Sequence, residues 1–292
     1  MENLRPIEDI YSIDKARWVG SGFRVRNYFP EGKDLLNRFT PFALMDYGAP
    51  LDYKPSDTPR GIGPHPHRGI ETVTFAVQGA VEHHDNAGNH GIIYTGDVQW
   101  MTAGRAIMHK EYHEKKFQEE GGLMEMVQIW ISLPQKDRLT EPRYQDIRNH
   151  DMGLYQSPDK KASVKVVAGD FQGVKGPTKT FSPMNVYMVN LESQGSIILN
   201  EPADYNTGML VLSGDIEVNN KTAKEKDFVL YENKDGKIEI KSKTHDTKIL
   251  VLSGQPLNEP QVAAGPFVMN TKEELRQASE DYRNGKFGTD KF

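Results

Sequence analysis

Glu71-Thr-Val-Thr-Phe-Ala-Val-Gln78 decides the fold. Val73, Phe75 and Val77 alternate with Thr72, Thr74 and Ala76, the period of two that marks a strand. Gly79 breaks the run, and Ala80 to His84 reads as the next strand. Asp85-Asn-Ala-Gly-Asn89 is a turn, because Asn and Gly tolerate positive φ and Asp caps a turn. Gly91 to Thr95 returns, Gly96-Asp97 turns again, and Val98 to Thr102 follows. Leu123 to Leu133 is a long apolar strand. Short strands at this spacing predict an all-β chain built as an antiparallel sandwich or barrel.

The second half echoes the first. Met209-Leu-Val-Leu-Ser-Gly-Asp-Ile-Glu-Val218 follows the pattern of Phe75 to His83, with Gly214 matching Gly79 at an offset of 135 residues. Lys226-Asp227-Phe228 then echoes Gly96-Asp97-Val98. Two copies of one β-domain are expected. The charged, proline-containing stretch Gln135 to Lys161 reads as the connection, placing the domains at 1–140 and 141–292. Near the end, Thr271-Lys-Glu-Glu274 fits a capping box, and a short helix is predicted over Lys272 to Asn284, stopped by Gly285.

The 292 residues contain no cysteine, which excludes disulfides, thiolate catalysis, iron–sulfur clusters and Cys-ligated zinc. Any metal must be held by nitrogen and oxygen. A net charge of −5 lacks the basic footprint of a nucleic-acid binder. No signal-peptide run or stretch of membrane-spanning length is visible, so a cytoplasmic chain away from membranes is expected. Gly61-Ile-Gly63 and Gly20-Ser-Gly22 lack the lysine of a phosphate loop.

Seven of nine histidines lie between His65 and His113. On a strand, residues i and i+2 share a face, so His65 and His67 present two imidazoles together, and His109 and Glu111 pair likewise. The parity shared by His65, His67, Val73, Phe75 and Val77 is read as placing both histidines on the core face. A single buried histidine is ordinarily a hydrogen-bonded core residue. Four converging polar groups need a common partner, because burying them unpaired is costly. Three imidazoles and a carboxylate make a ligand set for one divalent transition metal with open positions. Glu71 shares the inward parity and is a further ligand or an acceptor behind the ligands. His113 is either inward-facing or a solvated loop residue. His83, His84 and His90 flank a turn and read as structural; His150 and His245 read as surface residues.

Gly63-Pro-His-Pro-His-Arg-Gly-Ile-Glu-Thr-Val-Thr74, Glu82-His-His-Asp-Asn-Ala-Gly-Asn-His-Gly91, Gly96-Asp-Val-Gln-Trp-Met-Thr-Ala-Gly104 and Ala264-Gly-Pro-Phe-Val-Met-Asn-Thr-Lys-Glu-Glu274 resemble the pirin family across nearly the whole chain. The resemblance implies two cupin barrels of jelly-roll type facing each other, with the metal in the N-terminal one. It puts the metal ligands on His65, His67, His109 and Glu111. The repeat places Asn200, Pro202, Glu239 and Lys241 at the equivalent positions, so a metal-free second barrel is expected. Iron(II) is the favoured ion, with nickel, manganese, copper and zinc as alternatives. The implied activity is that of a quercetin 2,3-dioxygenase, an oxidoreductase cleaving flavonols with dioxygen, with Glu111 as catalytic base. Phe23, Phe42, Trp100, Met101 and Met126 are candidates for an apolar mouth, or core residues. The alternative is a non-enzymatic iron-binding protein that acts through a protein partner. A monomer is expected.

Overall fold

In the computed structural model, which describes residues 3–244 and 246–292, the strand Ile70–Gln78 is buried along almost its whole length. It takes antiparallel partners on both edges: Val98–Thr102 on one, Gly122–Ser132 on the other. Its β-branched and aromatic residues suit such a central position. A seven-stranded sheet grows outward from it in the order Arg143–Ile147, Val98–Thr102, Ile70–Gln78, Gly122–Ser132, Phe42–Tyr53, Phe23–Phe29, Arg17–Val19. A four-stranded sheet accompanies it, in the order Gly61–His67, Ile107–His113, Ala80–Asp85, His90–Tyr94. Two antiparallel sheets of this kind form a jelly-roll barrel.

A second unit repeats the plan. Its seven-stranded sheet runs Ile7–Tyr11, Phe228–Tyr231, Asn206–Ser213, Thr247–Gly254, Met184–Leu191, Ala162–Ala168, Gly153–Gln156. A four-stranded sheet accompanies it, and Ile197, Val211, Val229, Ile240 and Ile249 are among the side chains that fill its core. The weak sequence repeat is a strong structural one. Gly96 N–H donates to Ala76 O, and Ala76 N–H to Asp97 O; Lys226 N–H donates to Val211 O, and Val211 N–H to Asp227 O. Gly79 and Gly214 both take positive φ, 90° and 75°, at the ends of equivalent strands.

The expected division at 140/141 differs from what the contacts give. One unit comprises Asp14–Asn149 with Leu257–Phe292, the other Met1–Ile13 with His150–Pro256. The reason is strand and helix exchange along the chain. Ile7–Tyr11 pairs antiparallel with Phe228–Tyr231 in the second unit. The C-terminal segment returns to the first: the helix Lys272–Arg283 carries Asp281, which pairs with Arg68 at 2.8 Å. That helix starts with the expected capping box, Thr271 to Glu274 in both directions. Among the described residues no helix is long and apolar enough to cross a membrane.

Candidate metal centre

The four-stranded sheet delivers the histidines. His65 lies directly opposite His109 in the ladder, and Glu111 opposite His83. The three rings of His65, His67 and His109 have centroid separations of 5.0, 4.2 and 4.9 Å. A ligand atom from each lies within 4.8 Å of the others, and the same holds for the overlapping group His83, His109 and Glu111. The structure therefore brings together all four predicted site residues, as two triplets that share His109. It adds His83, which sequence reading had assigned a structural role.

Hydrogen bonds settle which ring nitrogens face outward to a ligand. His65 Nδ1 lies 2.9 Å from Gly63 O, and His67 Nδ1 3.2 Å from Pro266 O. A carbonyl accepts only, so each ring carries its proton on Nδ1 and leaves Nε2 as the lone-pair nitrogen. His83 Nε2 donates to Asp85 Oδ2 at 3.1 Å, which makes His83 Nδ1 an acceptor, and Gln99 Nε2 donates to it at 3.2 Å. His109 Nδ1 sits 3.3 Å from that same His83 nitrogen, whose single lone pair it shares with Gln99. His109 Nε2 is buried without any hydrogen-bond partner. Burial holds the pKa values of His67 and His109 well below the ordinary histidine value, with neighbouring imidazoles adding to the effect. His65 is lowered too, chiefly by burial. Neutral imidazoles are the metal-binding form.

Glu111 is held from the other sheet. Thr74 lies opposite both Gln99 and Gln128 in the ladders, so the three side chains form one row across the barrel wall. Thr74 Oγ1 and Gln99 Nε2 donate to Glu111 Oε1 at 3.2 and 3.4 Å, and Gln128 Nε2 donates to Oε2 at 2.9 Å. This row corrects the parity reading. Thr74 faces the site, so Val73, Phe75 and Val77 face away from it. The strand is interrupted at Gly69, with φ 82°, and alternation does not carry across it. Gly69 is required there, because a Cβ would lie 2.0 Å from Val268 O of the returning C-terminal segment. Glu71 shares the parity of Val73 and joins neither metal group; its Oε1 accepts from Thr102 Oγ1 at 2.7 Å. Burial pushes its pKa up to about 7.

The remaining histidines divide clearly. His113 is a core residue, its Nε2 on Gly22 O at 2.8 Å and its ring against Phe23, Tyr53 and Phe117. His150 is exposed beside Asp151. His245 lies outside the described residues. A cavity of about 430 Å³ opens on the site, lined by His65, His67, Glu111 and Gln128 with Val19, Phe23, Met126 and Trp130 among its apolar walls. Of the predicted mouth residues, Phe23 and Met126 line it; Phe42, Trp100 and Met101 are fully buried elsewhere.

Comparison with known proteins follows the same lines. The family described as Pirin matches residues 22–131, and the Pirin C-terminal cupin domain matches 186–288. A Pseudomonas aeruginosa protein provisionally named quercetin 2,3-dioxygenase is 41% identical over 284 residues, 97% of this chain and 99% of its own. The crystal structure of a quercetin 2,3-dioxygenase from Acinetobacter baumannii matches with a TM-score of 0.94 at 41% identity, over 98% of this chain and 99% of the other. A bacterial pirin of Escherichia coli, solved in complex with nickel(II), shares the fold at a TM-score of 0.63 and 22% identity, over 85% of this chain and 100% of its own.

Proposed function

This chain belongs to the pirin family, and from that premise we propose that it is a metal-dependent dioxygenase cleaving flavonols such as quercetin. In this reading His65, His67, His109 and Glu111 hold one divalent transition ion, iron(II) by preference. The observation that carries it is the buried, partnerless Nε2 of His109 beside two further imidazoles whose Nδ1 positions are already taken by carbonyls. Such an atom is costly to bury unless a ligand takes its lone pair. The donor set, three neutral nitrogens and one carboxylate, suits a borderline divalent ion. Bound there, the ion supplies Lewis acidity, which lowers the pKa of a hydroxyl it meets.

The chain's own residues do the rest. Glu111 reaches the cavity and accepts the proton of the flavonol 3-hydroxyl as general base. Thr74, Gln99 and Gln128 fix its carboxylate so that proton transfer needs no side-chain rearrangement. Phe23, Met126 and Trp130 offer apolar walls to the aromatic rings, and the cavity volume falls within the range of about 300–1,000 Å³ typical of small-molecule sites. Trp130 also packs edge-on against His67, 5.0 Å between ring centroids, and limits water around that ligand.

The test is aerobic incubation of the protein with quercetin after loading with iron, nickel, manganese or copper, following loss of the flavonol absorbance. Turnover with at least one metal, abolished in Glu111→Ala, is expected. Wild type and Glu111→Ala equally inert with all four metals would overturn the reading.

A further inference from the structure

The strand Ala80–Asp85 has two faces. His83 and Asp85 point toward the site already described; Glu82 and His84 therefore point outward. His90, on the neighbouring strand, is the direct ladder partner of His84. The rings of His84 and His90 stack at 4.2 Å with an interplanar angle of 22°. Both Nε2 atoms converge on a single oxygen, Glu82 Oε1, at 2.8 and 3.0 Å. All three groups offer a ligand atom within 4.8 Å of the others.

We infer that Glu82, His84 and His90 form a second divalent-metal site, on the outer face of this barrel, that takes a borderline ion of the zinc(II) class. Three features carry this. First, the composition is right: two imidazoles and a carboxylate are the protein ligands of open zinc sites. Second, the spacing is right. Ligand atoms about 2.1 Å from one ion, at tetrahedral to right-angle separations, are themselves about 3.0–3.4 Å apart. The observed N···O separations, 2.8 and 3.0 Å, are close to that range, so an ion that replaces the two imidazole protons is met by turning the side chains, without moving the strands. Third, the groups are tethered. Glu82 and His84 are two residues apart on one strand and His90 is fixed across a two-stranded ladder, so the geometry survives removal of the ion. The side chains are part-exposed, 23%, 32% and 52%, which leaves room for water to complete the coordination. The nearest cation by register, Lys110 opposite His84, is engaged with Phe292 O rather than with Glu82.

This site is independent of the buried centre and does not rest on the dioxygenase reading. It is tested with tag-free protein dialysed against zinc chloride, washed, and analysed for zinc per chain. Wild type is expected to retain one more ion than His84→Ala/His90→Ala, and Glu82→Gln to retain less than wild type. His65→Ala/His67→Ala is expected to keep the outer ion, so failure of the buried site leaves this result standing. Without zinc, His84→Ala/His90→Ala and wild type should melt together, which excludes misfolding; with zinc, only wild type gains the outer ion's share of the rise in Tm. Equal zinc content in wild type and His84→Ala/His90→Ala would overturn the inference.

Discussion

Glu71 stands four residues beyond His67, yet its carboxyl is buried on the opposite face from Glu111. Arg143 is its nearest cation, at 3.7 Å, and Glu71 Oε2 has no hydrogen-bond partner. Burial raises its pKa from 4.5 to about 7. The unfolded chain therefore loses this proton at lower pH than the folded one. The contribution of this group to stability is greatest below pH 4.5 and falls, by up to about 3 kcal/mol, as pH rises through that window to about 7. Glu71→Gln should gain stability relative to wild type on going from pH 5 to pH 8, read from urea midpoints; a constant difference would refute the burial account. Around Glu111, Gln128→Ala should lower kcat by roughly tenfold to a hundredfold, the worth of one hydrogen bond to a charged group. Metal content should be unchanged. The convergence of His65, His67, His109 and Glu111 was legible in the sequence because i and i+2 side chains share a face within each short strand. The inward role of His83 was not, because the neighbouring His84 has equal chemistry and only the ladder register tells which of the two faces the barrel interior.

Elements carry the next layer. The C-terminal helix was legible from its cap and stop residues, and Gly285 takes φ 73° at its end. Which barrel it joins was not, since nothing local encodes a partner more than two hundred residues away. Arg68 supplies that partner. It lies next to His67, pairs with Asp281 and stacks over Phe287 with its guanidinium carbon 4.6 Å from the ring centroid. Hydrogen bonds from Lys286, Arg68 and Gln277 hold the Asp281 carboxyl well below the usual carboxylate range. Its stabilisation is complete above the ordinary aspartate pKa and is lost as pH falls through the depressed one. Asp281→Ala should cost about 1–3 kcal/mol near pH 7 and progressively less in acid. Pro266, upstream on the same returning segment, aims the His67 ring through its carbonyl. Loosening the segment should therefore speed metal loss to a chelator, whereas an unchanged off-rate would show that the carbonyl contributes nothing.

At the scale of the molecule, two barrels share one plan and diverge in what fills them. Where the first carries histidines, the second has an apolar core of aliphatic and aromatic side chains. The expected match of Glu111 to Lys241 is one residue out of register: as His83 pairs with Glu111, its counterpart Val218 pairs with buried Ile240, while Lys241 is exposed and pairs with Glu217 at 3.7 Å. The N-terminal strand was missed because Ile7–Tyr11 is half polar and short, and its pairing lies far along the chain. It is pinned by Arg5, fully buried, whose guanidinium donates to the carbonyls of Pro202, Ala203, Tyr205 and Glu232. Arg5→Met leaves those carbonyls without their donor and should destabilise the second barrel by about 3 kcal/mol or more. Hydrogen exchange should then rise over Phe228–Tyr231 and stay unchanged at Ile107–His113. The most direct test of the central claim is a crystal structure of protein loaded with one equivalent of iron(II) under anaerobic conditions, with anomalous data at the iron edge. The expected result is one dominant peak about 2.0–2.2 Å from Nε2 of His65, His67 and His109, with Glu111 facing it. Clear density for those side chains with no anomalous peak among them would contradict it.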